Sequence, residues 1–72
     1  MSNATIISNA NVALRQSYYP ALRYLLVEGS DGALVISGKV SSYHLKQLAQ
    51  ETVMQVRGPL KLLNQVDVVG SN

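Results

Sequence analysis

The four residues Gly29-Ser30-Asp31-Gly32 constrain this chain more than any other segment. They separate two apolar runs, and Asp-Gly favours a tight hairpin because glycine accepts positive φ without steric cost. After the turn, residues 33–40 alternate: Leu34, Ile36, Gly38 and Val40 on one parity, Ala33, Val35, Ser37 and Lys39 on the other. That period of two is the mark of a strand. Before the turn, residues 22–28 read Leu-Arg-Tyr-Leu-Leu-Val-Glu and are predicted as the partner strand. A two-residue hairpin turn pairs residues whose numbers sum to an odd value, so Leu25 and Val27 must share a face with Leu34 and Ile36. Tyr24, Leu26 and Val35 then fall on the other face.

Helical periodicity flanks the hairpin. Over residues 5–17, Ile6, Ala10 and Leu14 step by four, with Tyr18 one turn on and Ile7 and Ala13 beside them. This predicts a helix with a narrow apolar stripe, ending near residues 17–19 because Pro20 pushes its predecessor out of the helical region. Asn9 and Asn11 oppose it locally, since asparagine prefers caps and turns. Ser41-Ser42 predicts the cap of a second helix. Its apolar positions are Leu45, Leu48, Ala49, Thr52, Val53 and Val56, with Lys46, Gln47, Gln50, Glu51 and Gln55 opposite. Arg57 suits the negative end of that helix, and Gly58-Pro59 ends it. Residues 60–69 read as a last strand: Leu60, Leu62, Asn64, Val66 and Val68 alternate with Lys61, Leu63, Gln65 and Asp67. The predicted fold class is α+β, in the order α-β-β-α-β, a three-stranded sheet with two helices packed on one face. One domain spans residues 1–72, with its core at residues 5–69.

Composition narrows the function. A chain of 72 residues buries only about 60% of its unfolded surface. Hydrophobic residues make up 47% and charged residues 14%, against about 25% charged in a typical domain. Such a chain is too apolar for a disordered tail. The absence of cysteine excludes disulfides, thiolate zinc sites and cysteine catalysis. The net charge is +2, with six basic residues scattered along the chain, so no nucleic-acid footprint is expected. The four acids sit in separate elements, and Gly29 and Gly32 flank a hairpin rather than opening a helix. Neither paired carboxylates nor a phosphate loop results, and the chain reads as no enzyme, with no cofactor and no metal. His44, beside Tyr43 in the second helix, reads as a solvated surface residue. No stretch approaches the roughly 20 apolar residues of a transmembrane helix, and no apolar leader is visible. At face value the chain is cytoplasmic; as a piece of a longer protein it would belong to the periplasm or cell envelope.

Order and punctuation together resemble a BON domain, the bacterial osmotically inducible and nodulation family. The resemblance rests on Asp31-Gly32, the run Leu34-Val35-Ile36-Ser37-Gly38-Lys39-Val40, the Ser41-Ser42 cap and the helix centred on Ala49. It continues through Gly58, Leu62, Asn64, Val66 and Val68, and residues 5–17 fit the family's leading helix. Pro59 stands where similar proteins usually carry valine. The resemblance implies a non-enzymatic module of the cell envelope that associates with phospholipid or a membrane surface. Arg15, Tyr18, Tyr19 and Arg23, around the end of the first helix, are the headgroup candidates, since tyrosines favour the interface and arginines pair with phosphates. The competing reading has Tyr18 complete the core stripe and Tyr19-Pro20 form a plain turn.

A second expectation comes from the residues themselves. Tyr24, Leu26, Val35 and Leu63, with Val69, are left on the sheet face without helices. A monomer would leave them wet, so they are candidates for the interface of a homo-oligomer. Gly38 is expected at a bulge or a close helix approach. Asn64 is expected at a core-facing position, its amide bonded to the loop near Gly38 or Gly58.

Overall fold

The structure, a computed structural model, describes residues 3–70; the outermost positions of the predicted 1–72 domain lie outside the described residues. The elements are α1 (Asn3–Arg15), a 3-10 turn (Pro20–Tyr24), β1 (Leu26–Ser30), β2 (Ala33–Ser37), β3 (Lys39–Val40), α2 (Tyr43–Met54), β4 (Lys61–Asn64) and β5 (Asp67–Val68). Strands β1, β2 and β4 form one sheet in that spatial order, and β3 and β5 form a small second pair. The fold is α+β, as the sequence predicts.

The hairpin carries the predicted chemistry. Asp31 (φ 48°) and Gly32 (φ 78°) both lie in the left-handed region, which a type I′ turn requires and which aspartate tolerates better than most residues. Val27 faces Ile36 and Glu28 faces Val35 in the antiparallel register. Leu25, Val27, Leu34 and Ile36 are accordingly buried together.

Strand β2 is central. It pairs with β4 in parallel, Ala33 beside Lys61 and Ile36 beside Asn64, because the chain crosses back through α2 between them. The two long predicted strands, 33–40 and 60–69, are each interrupted. Gly38 takes φ 130°, and a Cβ there would stand 2.6 Å from Leu25 Cδ2. The close approach is made by Leu25, ahead of β1, and not by a helix. The interruption costs no register: Lys39 pairs with Asp67 beyond it, at the same offset in sequence as Ala33 with Lys61. The N–H groups of Lys61, Gln65, Asp67 and Val69 donate to the carbonyls of Gly32, Ile36, Gly38 and Val40 at 3.2, 2.9, 2.9 and 2.8 Å. A single kinked ladder therefore runs the length of both predicted strands.

Residues 20–24 correct the sequence reading, which made 22–28 one strand. Pro20 opens a 3-10 turn, where its fixed φ suits a first position. Leu22 N–H donates to Tyr19 O at 3.0 Å and Leu25 N–H to Leu22 O at 3.2 Å. The turn drives Leu22 fully into the core. Leu22, not Tyr18, continues the stripe of Ile6, Ala10 and Leu14 from α1.

Helix α2 starts as predicted, with Ser42 Oγ accepting from Leu45 N–H at 3.2 Å. It ends at Met54 rather than Val56, tightening through Val56 N–H to Val53 O at 3.0 Å. Arg57 does not serve the helix end; its Nη1 donates to Leu60 O at 3.0 Å and braces the loop. The core gathers Leu14, Leu22, Leu34, Ile36, Val27, Val53 and Val66, and no polar side chain among the described residues is buried with them.

Candidate functional site

The four headgroup candidates lie on a knuckle where α1 runs out. The helix tightens through Ser17 N–H to Leu14 O at 3.1 Å, and Ser17 becomes a pivot. Its Oγ accepts from Tyr19 N–H at 3.1 Å and its carbonyl accepts from Arg23 Nε at 3.0 Å. Tyr18 is 88% exposed and Tyr19 39%. Their rings meet edge to face, centroids 5.6 Å apart, an arrangement that suits the ring quadrupoles. Tyr18 therefore takes no part in the core, against the reading in which it completes the stripe. Arg23 uses one of its five N–H donors inside the protein and holds the others outward. Arg15 is exposed at the last position of α1. The structure brings Tyr18, Tyr19 and Arg23 together around Ser17; no hydrogen bond or ion pair joins Arg15 to them among the described residues.

The interface candidates divide. Val35 sits directly beside Leu63 in the parallel register, and Leu26 lies one step diagonally across β1 opposite Ser37. Together they make an apolar diagonal over three strands, bordered by Glu28, Ser37, Lys61 and Gln65. Leu26 and Leu63 are 47% and 46% exposed, and Val35 is half-buried. Tyr24 lies outside the strands. It ends the 3-10 turn ahead of β1 and is exposed there. Val69 is half exposed beyond β5.

The two edges of the sheet differ in ways that local sequence signals do not reveal. Along β1, the Asn11 side chain from α1 takes both main-chain groups of Val27: Val27 N–H donates to Asn11 Oδ1 at 3.0 Å and Asn11 Nδ2 donates to Val27 O at 2.9 Å. Asn11 also donates to Ile7 O at 3.1 Å. A residue that disfavours the helix thus acts as a one-residue strand. Along β4, the odd-numbered residues spend their N–H groups on β2 and β3. Leu62 and Asn64 consequently turn their N–H and C=O groups to the outside, where no main-chain partner meets them among the described residues.

Asn64 occupies the predicted core-facing position with different partners. Its Nδ2 donates to Lys46 O on α2 at 2.9 Å, and its Oδ1 accepts from Val66 N–H at 3.1 Å. The loop near Gly38 or Gly58 is not involved. His44 is exposed on α2. A hollow on that helix is lined by Tyr43, Gln47, Gln50 and Glu51, none of them a predicted site residue. No helix among the described residues is long and apolar enough to cross a membrane. No protein-family model matches the chain, and no curated protein matches it.

Proposed function

We propose that this domain is a non-enzymatic binding module that associates with anionic phospholipid surfaces through the knuckle of Arg15, Tyr18, Tyr19 and Arg23. The observation that supports it is the exposed tyrosine pair held beside an anchored arginine just past the end of α1. Tyrosine rings settle at the depth of lipid headgroups, with the ring toward the chains and the hydroxyl toward water. The outward donors of Arg23 suit phosphate oxygens, and Arg15 adds a second positive charge. The resemblance to BON domains points the same way, and an anionic cytoplasmic leaflet is the surface this reading assigns. Each arginine near such a surface contributes about 1 kcal/mol, so a single copy binds weakly and in a salt-dependent manner.

Co-sedimentation with vesicles tests this. Vesicles rich in phosphatidylglycerol are expected to carry the protein down at low salt and to release it at high salt, while phosphatidylcholine vesicles leave it in solution. The Arg15→Glu, Arg23→Glu double variant is expected to stay in solution with both. Retention of that variant on anionic vesicles removes the knuckle from the function.

A further inference from the structure

We infer that β4 is a self-pairing edge: it joins β4 of a second copy of this chain, antiparallel, with the dyad at Leu63. The inference is independent of the membrane reading and rests on other residues. In an antiparallel pair, residues whose N–H and C=O groups point outward must face one another. On β4 those residues are Leu62 and Asn64. A symmetric pair can then be centred at Leu62, Leu63 or Asn64. Centring at Leu62 brings Asn64 opposite Leu60, whose N–H and C=O are already bonded to Arg57 at 3.1 and 3.0 Å. Centring at Asn64 brings Leu62 opposite Val66, whose N–H is held by Asn64 Oδ1. Centring at Leu63 places Leu62 against Asn64 twice. That register uses the outward groups of β4 and calls on no others, and the internally bonded Leu60 and Val66 close it at both ends.

Side chains agree with that register. Leu63 meets its own counterpart at a non-hydrogen-bonded position, where the strands' side chains come closest. The apolar diagonal through Val35 and Leu63 then continues into the second copy. Lys61 falls opposite Gln65 of the second copy, with Asp67 of that copy on the diagonal and within reach of a lysine. No like charges face each other along the pair. The Asn64 amide is turned toward α2 and does not obstruct the edge. Two three-stranded sheets become one continuous sheet, and the occupant is specified by the strand's complementarity to itself.

The test uses the lipid-free protein, so that it fails or succeeds apart from the vesicle result. Light scattering coupled to size exclusion over a range of loading concentrations is expected to give a dimer. Because the chain has no cysteine, Leu63→Cys introduces a single thiol placed on the dyad, at a spacing a disulfide can bridge. Mild oxidation is expected to convert this variant to a covalent dimer and to leave Leu26→Cys, on the same face but two strands away, uncoupled. Lys61→Glu is expected to weaken association by about fivefold, and adding Asp67→Lys to restore it. A monomer at every concentration overturns the proposal. So does equal cross-linking by the Leu26→Cys variant, which would mean stacking of faces rather than pairing of edges. Circular dichroism on each variant separates lost pairing from lost fold, and the charge-swapped double variant supports or refutes the register if Leu63→Cys does not fold.

Discussion

One sheet carries two edges that this chain treats in opposite ways. On β1 the asparagine amide of Asn11 stands in for a neighbouring strand and satisfies both main-chain groups of Val27, while Ile7 crowds Gly29 so closely that a Cβ there would stand 2.6 Å from its Cδ1. On β4 the nearest asparagine, Asn64, turns its amide inward to α2 and to Val66. The same side chain type closes the flank of one strand and only the end of the other. Natural sheets guard their edges with charge, bulges or covering elements. Here a helix covers one edge, and the other ends on leucine and asparagine. The difference is one of placement: α1 packs over β1, whereas α2 reaches β4 from the core side and leaves its outer flank bare.

Amide hydrogen exchange in dilute solution should show the comparison without any mutation. The Val27 amide is expected to exchange at least about a hundredfold more slowly than those of Leu62 and Asn64, since only the first is bonded in the monomer. At high concentration the Leu62 and Asn64 amides should slow if β4 pairs with itself. Equal rates for the three amides under dilute conditions would abolish the distinction between the edges.

Asn11→Ala breaks the guarded edge directly. It leaves the N–H and C=O of Val27 without their partner, at a cost of about 2 kcal/mol after the small gain from alanine's helix propensity. Urea unfolding would measure this, and a change below about 0.5 kcal/mol would show that water replaces the amide at no loss. The smallest effect belongs to Gly29→Ala. The atom in its way is the tip of the flexible Ile7 side chain, which can rotate aside. A destabilisation of about 1 kcal/mol or less is expected, and a larger one would mean that α1 is held to β1 more rigidly than Asn11 alone requires.

The hairpin was legible because its signals are local. Asp31-Gly32 set the turn, and the parity of a two-residue loop set which residues share a face. Helix α2 was legible for the same reason, through Ser42 and the spacing of Ala49 and Val53. What escaped the sequence depended on partners far along the chain. Asn11 reads as a helix breaker until Val27 is known to lie beside it. Gly38 reads as a bulge or a close helix approach, and only the fold shows that Leu25 occupies the space of its missing Cβ. Pro20 reads as a stop, and it is also a start, for the turn that buries Leu22. Among the site residues, Tyr18 was ambiguous because the four-residue step applies only while the helix lasts, and α1 ends at Arg15. Beyond that point exposure followed from the pivot at Ser17. The apolar diagonal of Leu26, Val35 and Leu63 followed from parity; Tyr24 did not, because it lies outside the strand.

That pivot has a thermodynamic side. Ser17 accepts from Tyr19 N–H and from Arg23 Nε, so the turn between helix and sheet is shaped before any surface reaches it. Ordering a loose loop on contact costs about 1–2 kcal/mol for each residue fixed, comparable to the roughly 1 kcal/mol that the proposed contact assigns to each arginine. On the membrane reading proposed above, a knuckle already ordered by folding would escape that loss, and a weak contact made by a few side chains would be expressed almost in full.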